Sequence, residues 1–463
     1  MVVKVKPPSI SHIKHQTFNI TQYLTYNSGY TLYLVMVILF IAGILFTVSL
    51  RASSVAHIQS VRHIHSLQAK FLAQSGIARA EYFLNGGDGH DLNWETDRLE
   101  ETIDNFGTIV ISCVPFGLLS KINSTGNRLN ESYTLEEIMG RDIPRTIESA
   151  ITLTGHVGGL VLAKGTTIQG TVVLHHGTVK RGNNKSPIPG SEKWVKQMES
   201  PPLPFDIRKI TDFMNESANT IALSISSKTA LNGHCTITGS NDSLLTSNPL
   251  IINGDCSIGA VELDNVSVIV TGELKINKGA LCRKSSFLAG KITIVNGISK
   301  KSLFFSNDVL TIKGGVHKAQ FFSNDSIVIE KEAQFPGSSL WISHRIQDND
   351  TTITGGIVFS EKGNYSGHAV CFTDSIEGKS EILVGPSVAL GEGSVFNGTI
   401  ITDGDINLKR VTVNGHIYCR SVVAVDNKMS YKNWLLGCSH AELEKEIPFP
   451  LIGDLPAKVS LIE

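Results

Sequence analysis

Residues 30 to 50 read Tyr-Thr-Leu-Tyr-Leu-Val-Met-Val-Ile-Leu-Phe-Ile-Ala-Gly-Ile-Leu-Phe-Thr-Val-Ser-Leu and contain no charged side chain. Wound as a helix at ~1.5 Å per residue, this run is ~30 Å long, the depth of a bilayer core. A helix apolar on every face needs lipid or protein on all sides, so the run is expected to span a membrane. Two other readings stand beside it. One is a buried core helix. The other is a cleaved secretory signal, whose apolar region usually runs about 7 to 15 residues and ends at small residues. Here the run is longer, and Arg51 closes it.

Lys4, Lys6 and Lys14 precede the span and Arg51, Arg62, Lys70 and Arg79 follow it. The bias of basic residues toward the cytoplasmic side therefore does not orient it. Beyond the span, Val55, Ile58, Val61, Ile64, Leu67, Phe71 and Leu72 recur at three- and four-residue steps, and Asn85-Gly86-Gly87 offers a C-cap. One helix over 30–84, ~80 Å long, is expected, its second half presenting an apolar stripe to a partner or to the following domain.

Gly29-Tyr30-Thr31-Leu32 ahead of this helix resembles the Gly-aromatic-Ser/Thr-Leu start of type IV pilins and pseudopilins. The resemblance implies a prepilin peptidase cut between Gly29 and Tyr30, a cytoplasmic leader over 1–29, and packing against other pilin-like subunits through 30–84. Ser28 stands where a basic residue is usual in that family, and Leu34 occupies the fifth mature position, where most members carry Glu. Members similar to the K-type pseudopilin or the X-type minor pilin also lack that Glu. The stretches Leu72-Ala73-Gln74-Ser75-Gly76-Ile77-Ala78-Arg79-Ala80 and Leu119-Ser120-Lys121-Ile122-Asn123-Ser124-Thr125-Gly126 resemble patterns of the same subgroup. The likeness covers residues 29–126.

Residues 88–150 read as a small α+β connector. It combines a polar helical patch over 94–105, the alternating strand Thr108–Val114 and a second strand ending in Ser124-Thr125-Gly126. Asp97, Glu100, Glu101 and Asp104 would form a solvated acidic face on that patch.

From about residue 158 the chain repeats. Ile252-Asn253-Gly254-Asp255-Cys256-Ser257-Ile258, Val270-Thr271-Gly272-Glu273-Leu274-Lys275-Ile276 and Leu288-Ala289-Gly290-Lys291-Ile292-Thr293-Ile294 start 18 residues apart, and Phe-Phe-Ser-Asn-Asp at 304–308 returns at 321–325. A period of 17 to 18 is too short for helix pairs or propeller blades. It suits a right-handed parallel β-solenoid in which short strands meet at Gly/Asn corners. The 42 glycines and an aromatic content of only 7% agree with many tight turns. Asn-Gly steps at 232, 253, 296, 397 and 414 would place Asn or Gly in the left-handed region. The alternative is an antiparallel barrel or sandwich. The solenoid is expected over 151–429, with a Pro-rich and helical insertion near 186–216 and a C-terminal cap over 430–463. Its short Gly-marked turns resemble bactofilin-type polymerising domains, a likeness of architecture only.

Little chemistry is legible. The 41 basic and 42 acidic residues leave a formal charge of −1, which points to no nucleic-acid partner. No phosphate loop, dinucleotide fingerprint or metalloprotease motif occurs, and no cofactor is expected. Asp403 and Asp405 near Lys409, Arg410 and His416 are the best catalytic candidates but read more economically as a turn. His175-His176 is set aside as a metal site, since adjacent strand residues face opposite ways and no third ligand is evident. The seven cysteines form no CxxC pair and read as small buried hydrophobes. No catalytic or metal residue is assigned.

The expectation is thus a non-enzymatic, single-pass protein of the cell inner membrane, its N-terminus cytoplasmic and its β domain periplasmic or extracellular. Its partners would be membrane lipid and pilin-like or assembly subunits, with self-association of the solenoid as a further possibility. Two alternatives stay open: an envelope scaffold or adhesin that binds glycans or itself, and a surface-anchored carbohydrate-active enzyme.

Overall fold

A computed structural model describes residues 28–84, 98–103, 105–141, 149–155, 159–182, 195–197, 207–225, 230–239, 249–336, 339–345, 352–353, 355–373, 382–383, 386–426, 429–441 and 459–461. The chain is mainly β, with one long apolar N-terminal helix, α1 (Ser28–Leu84). Four antiparallel strands follow: β1 (Arg98–Ile103), β2 (Gly107–Phe116), β3 (Leu119–Arg128) and β4 (Glu131–Arg141). Residues 98–103 overturn the expected helical patch. Their side chains alternate between exposed and half-buried and pair with 107–112, so period-two burial against a neighbouring strand outweighs the helix propensity of Leu99-Glu100-Glu101. Trp94, Asp97 and Asp104 lie outside the described residues, as do the leader, the C-cap Asn85-Gly86-Gly87 and all the prolines of 186–204. The strand Val459–Leu461 pairs antiparallel with 139–141 and makes a fifth strand of this sheet.

The rest is a stack of largely parallel strands, which excludes the antiparallel barrel or sandwich. One column of in-register partners runs through it: Leu250, Val268, Phe287, Phe304, Phe321, Trp341, Ala369, Ile400, Ile417, Ile151, Val172 and Val195. Phe287, Phe304 and Phe321 stack nearly face on, with centroids 5.0 and 5.3 Å apart and ring planes 7° and 10° from parallel. Such ring pairs contribute about 0.5–1.5 kcal/mol each beyond the area they bury. Trp341 is followed by Ala369, so the largest side chain of the column meets the smallest.

Steps along the column are 17 to 19 residues from 250 to 321, as the repeat implies. They lengthen to 20, then 28 from Trp341 to Ala369 and 31 from Ala369 to Ile400. The turns there hold more residues, which is why the sequence period fades while the pairing continues.

The stack does not follow chain order. Ile417–Cys419 pairs with Ile151–Leu153, which pairs with Val172–Leu174 and then Val195–Gln197. The chain therefore enters mid-stack and builds outward to 197. It crosses back by way of α2 (Ile207–Ser224) and winds from 231 to 441, returning to where it began. The expected C-terminal cap is corrected by the same pairings. Ser439–Ala441 lies between Thr412–Asn414 and Thr167–Ile168, and Trp434–Leu436 pairs with Val161–Ala163. Backbone groups on both sides of these strands are used, so they lie inside the stack; Pro448, Pro450 and Pro456 fall outside the described residues. The junction is tied by side chains as well. Thr166 Oγ1 donates to Leu435 O at 2.9 Å, and Lys164 and Lys409 both pair with Asp426.

The helical insertion proves longer than expected and has a packing role. Ile210, Met214 and Ile221 of α2 bury against an apolar strip on the outside of the stack that includes Ile269, Leu303, Phe305 and Phe322, with Phe213 and Phe322 centroids 4.8 Å apart. This accounts for the paired aromatics of Phe-Phe-Ser-Asn-Asp. Adjacent strand residues face opposite ways, so Phe304 and Phe321 fill the interior while Phe305 and Phe322 form the seat of the helix.

Each of the five Asn-Gly steps places one of its two residues at positive φ, as expected. Gly233, Gly254, Gly398 and Gly415 carry the positive φ, and of the five asparagines only Asn296 does. Asn253 donates to Asn232 at 3.1 Å, Asn397 to Asn364 at 3.0 Å and Asn414 to Asn397 at 2.8 Å, forming amide ladders along the stack. The left-handed corners are also taken by Lys284, Lys301, Lys362 and Arg410, residues with no turn signature.

His317 is wholly buried in the stack. Its Nδ1 lies 2.8 Å from Ser299 Oγ and its Nε2 lies 2.9 Å from Gly314 O. A neutral ring satisfies both by accepting from the hydroxyl and donating to the carbonyl. Burial pushes its pKa down from 6.5 to about 4, with the Gly314 bond opposing. The unfolded chain therefore binds a proton that the folded chain refuses. This stabilisation is complete above pH 6.5 and is lost as pH falls through that value toward 4, at a cost of ~3 kcal/mol. His317→Gln is expected to lower the pH dependence of the unfolding free energy between pH 6.5 and 4 by close to one proton, measured by urea titration. An unchanged slope would show that His317 is not the group responsible.

Candidate functional site: the exposed helix and its joint

The two candidate processing residues, Gly29 and Tyr30, sit in the first turn of α1, with Tyr30 69% exposed. The helix that follows is long and apolar enough to cross a membrane, and its apolar window buries nothing against the rest of the protein. The buried-core-helix reading therefore fails. Tyr33, Leu39, Phe40 and Phe46 all stand out from the backbone, uncovered among the described residues.

The second half of α1 packs, but of the expected stripe only Leu72 is buried against the sheet. Ile64, Leu67 and Phe71 are 53%, 41% and 64% exposed, and Val55 and Ile58 are exposed too. The face that meets the antiparallel sheet is Ala69, Leu72, Ala73, Gly76, Ile77 and Ala80, against Ile109, Ile111, Ile122 and Met139. Small residues win because they let the backbones approach. A Cβ on Gly126 would lie 2.6 Å from Ala73 N and 2.7 Å from Leu72 Cβ, and would also meet Ala69 O; one on Gly76 would meet Ser124 Oγ and Ile109 Cγ2. The two motifs at 72–80 and 119–126 thus form the two sides of one seam. Arg79 Nε to Glu101 at 2.9 Å and Arg128 Nε to Gln68 Oε1 at 3.2 Å flank it. On the far side of the helix, Ile64, Leu67, Phe71 and Tyr82 remain uncovered among the described residues.

A second joint fixes the sheet to the stack. Gln320, which is 3% exposed, donates from Nε2 to Phe116 O at 2.8 Å and accepts at Oε1 from Leu118 N at 3.2 Å. It thereby satisfies the peptide groups of the β2–β3 turn. Lys301 pairs with Glu137 at 2.7 Å, and Lys121 and Lys284 both reach Glu136. None of these residues stood out in the sequence, since a glutamine or lysine in a strand carries no signal of what faces it.

The catalytic candidates are dispersed into structural roles. Asp403 Oδ2 accepts from Thr373 N at 2.8 Å, and Asp405 Oδ1 accepts from Ser421 Oγ at 2.7 Å and Arg420 Nε at 3.2 Å. Lys409 and Arg410 pair with Glu392, and His416 Nδ1 donates to Ser149 O at 3.1 Å. Lys409 and Arg410 share Glu392, while these bonds of Asp403, Asp405 and His416 go to other groups. His175 and His176 lie at a bend, not on a strand, and their rings are 4.2 Å apart, so the expectation that they face opposite ways does not hold. Among the described residues no group of three or more His, Cys, Asp or Glu is placed to hold a metal ion.

Compared with known proteins, the chain matches no family model, no curated protein and no solved structure.

Gly126→Val is expected to force the helix off the sheet at this seam. Overpacking of this kind costs about 1–3 kcal/mol, and the close backbone contact puts the expected loss at the upper end. Detergent-solubilised variant and parent would be compared by thermal unfolding. An unchanged midpoint would show that the seam is looser than described.

Proposed function

We propose that this chain is a non-enzymatic, membrane-anchored assembly protein resembling minor pilins or pseudopilins, which displays a right-handed parallel β-solenoid outside the inner membrane. The observation that carries the reading is α1 itself. One unbroken helix leaves its first half uncovered and seats its second half in an antiparallel sheet through Ala69, Ala73, Gly76 and Gly126. That division gives lipid one half and the folded domain the other. The seam also joins the two stretches whose pattern suggested the family. The apolar face of Ile64, Leu67, Phe71 and Tyr82, opposite the sheet, is suited to a neighbouring helix of an assembly.

Handedness follows from a general rule, since parallel strands joined by crossovers in one sheet are almost always connected in the right-handed sense. The basic turn is 17 to 18 residues, with longer turns carrying insertions. In this reading residues 1–29 are a cytoplasmic leader removed between Gly29 and Tyr30, and the solenoid provides the surface that the assembly presents.

The test is expression in a host with a prepilin peptidase, followed by N-terminal sequencing and intact mass of the membrane-extracted protein. Loss of residues 1–29, abolished by Gly29→Ala, is the expected result. An intact N-terminus with the protein still in the membrane would remove the pilin reading and leave a tethered solenoid.

A further inference from the structure

None of the seven cysteines is in a disulfide in this structure; six are buried, and Cys235 alone is half-exposed. Cys235 and Cys256 are also in-register partners on adjacent parallel strands, Cys235–Ile237 and Cys256–Ile258. Residues in register point their side chains to the same side, and neighbouring strands lie ~4.8 Å apart, within the Cα separation of about 4.4–6.8 Å that a disulfide spans. Both thiols turn toward the stack interior, Cys256 within the apolar core and Cys235 packed against it. No other pair of cysteines is matched in this way. Cys282 stands opposite Leu263 and Ser299, Cys371 opposite Ser343 and Thr402, and Cys419 opposite Leu153.

We infer that Cys235 and Cys256 are an oxidation site of this chain, closing as a disulfide that staples the turn beginning at Leu231 to the turn above it. That turn needs a staple more than its neighbours. Among the described residues, Leu231–Asn232 and Cys235–Ile237 pair on one side only, with 252–253 and 256–258. The thiols also differ in reactivity. Burial first, and then the charge and hydrogen bond of Cys235, push the Cys256 thiol up to about 12. Attack therefore begins at the accessible Cys235.

The oxidant is a small or protein disulfide, R–S–S–R. The Cys235 thiolate attacks one sulfur, forming a mixed disulfide and releasing one R–S⁻, which takes up the proton Cys235 gave. Cys256 then attacks the Cys235 sulfur, its proton passes to the second departing R–S⁻, and two R–SH are produced for one protein disulfide. Neither geometry nor chemistry depends on the assembly reading, and the test is independent of it.

The purified full-length protein in detergent is equilibrated with oxidised and reduced glutathione, then denatured and alkylated. The expected result is a fall from seven alkylated cysteines to five and a single cross-linked peptide pair holding residues 235 and 256. In the native reduced protein, brief N-ethylmaleimide treatment is expected to label Cys235 ahead of the other six. In Cys256→Ser, oxidation should stop at a glutathione adduct on Cys235. A different cross-linked pair, a persistent Cys235 adduct in the parent protein, or seven alkylated thiols after oxidation would each overturn the proposal.

Discussion

In-register parallel pairing is the constraint on which the rest of the structure depends. Once Phe304 is set opposite Phe321, every other position of those two turns is fixed: Phe305 opposite Phe322, Ser306 opposite Ser323, and Asn324 donating to Asn307 at 3.1 Å. Like meets like along the axis, which is favourable for apolar and amide side chains and leaves charges to the corners and outer faces. A one-residue slip would move each column to the opposite face and place the core residues in water. The bulges between Val270 and Glu273 and between Lys300 and Ser302 absorb differences in turn length without moving the columns.

The seat of α2 follows from that constraint. Two apolar residues in succession on a strand leave one outside, and a stack with Phe305, Phe322 and Ile342 on one outer face requires a cover. The same 207–224 segment that carries the chain back to the far end provides it, so the crossover has both a topological and a packing role. At the other joint, Gln320 satisfies two peptide groups of the β2–β3 turn and fixes the sheet against the stack. The mechanical path from α1 to the surface of the parallel stack then contains two close seams, one lined by small residues and one made by a buried amide.

Much of this was legible from the residues. The uncharged run at 30–50 and the helix formers to Leu84 correspond to α1, and the 18-residue spacing marks the parallel turns. What was not legible has physical causes. The packing face of α1 draws on Ala69, Ala73, Gly76 and Ala80, which carry little hydrophobic signal, beside only Leu72 and Ile77, whereas the conspicuous Ile64, Leu67 and Phe71 point away from the sheet. Residues 98–103 became a strand because a neighbour was available to pair with them. The alignment of Cys235 with Cys256 spans 21 residues and falls outside the 17–18 period, so it is visible only in the pairing. The dispersal of Asp403, Asp405, Lys409 and Arg410 into separate hydrogen bonds and ion pairs required knowing which turn lies above which.

Chain order is the feature least accessible to sequence, and it has a consequence for how the stack is held. The contact of Ile417–Cys419 with Ile151–Leu153 joins strands about 265 residues apart. Loop-closure entropy grows only as the logarithm of length, so so long a closure costs little more at equilibrium than a short one, although it forms late. The strands at 151–174 have apolar inner faces and, among the described residues, no local partner other than each other and the next strands, and the turns at 405–441 have an edge that would otherwise be open. Each supplies what the other lacks. The ion pairs of Asp426 with Lys164 and Lys409, and the bonds of Thr166 to Leu435 and Cys438, lie at this interface. A chain that simply wound from one end to the other would leave one end of its stack near each terminus. This chain instead buries both of its late and early turns against one another and returns Val459–Leu461 to the sheet beside α1, so the two termini of the folded region are anchored on the same small domain.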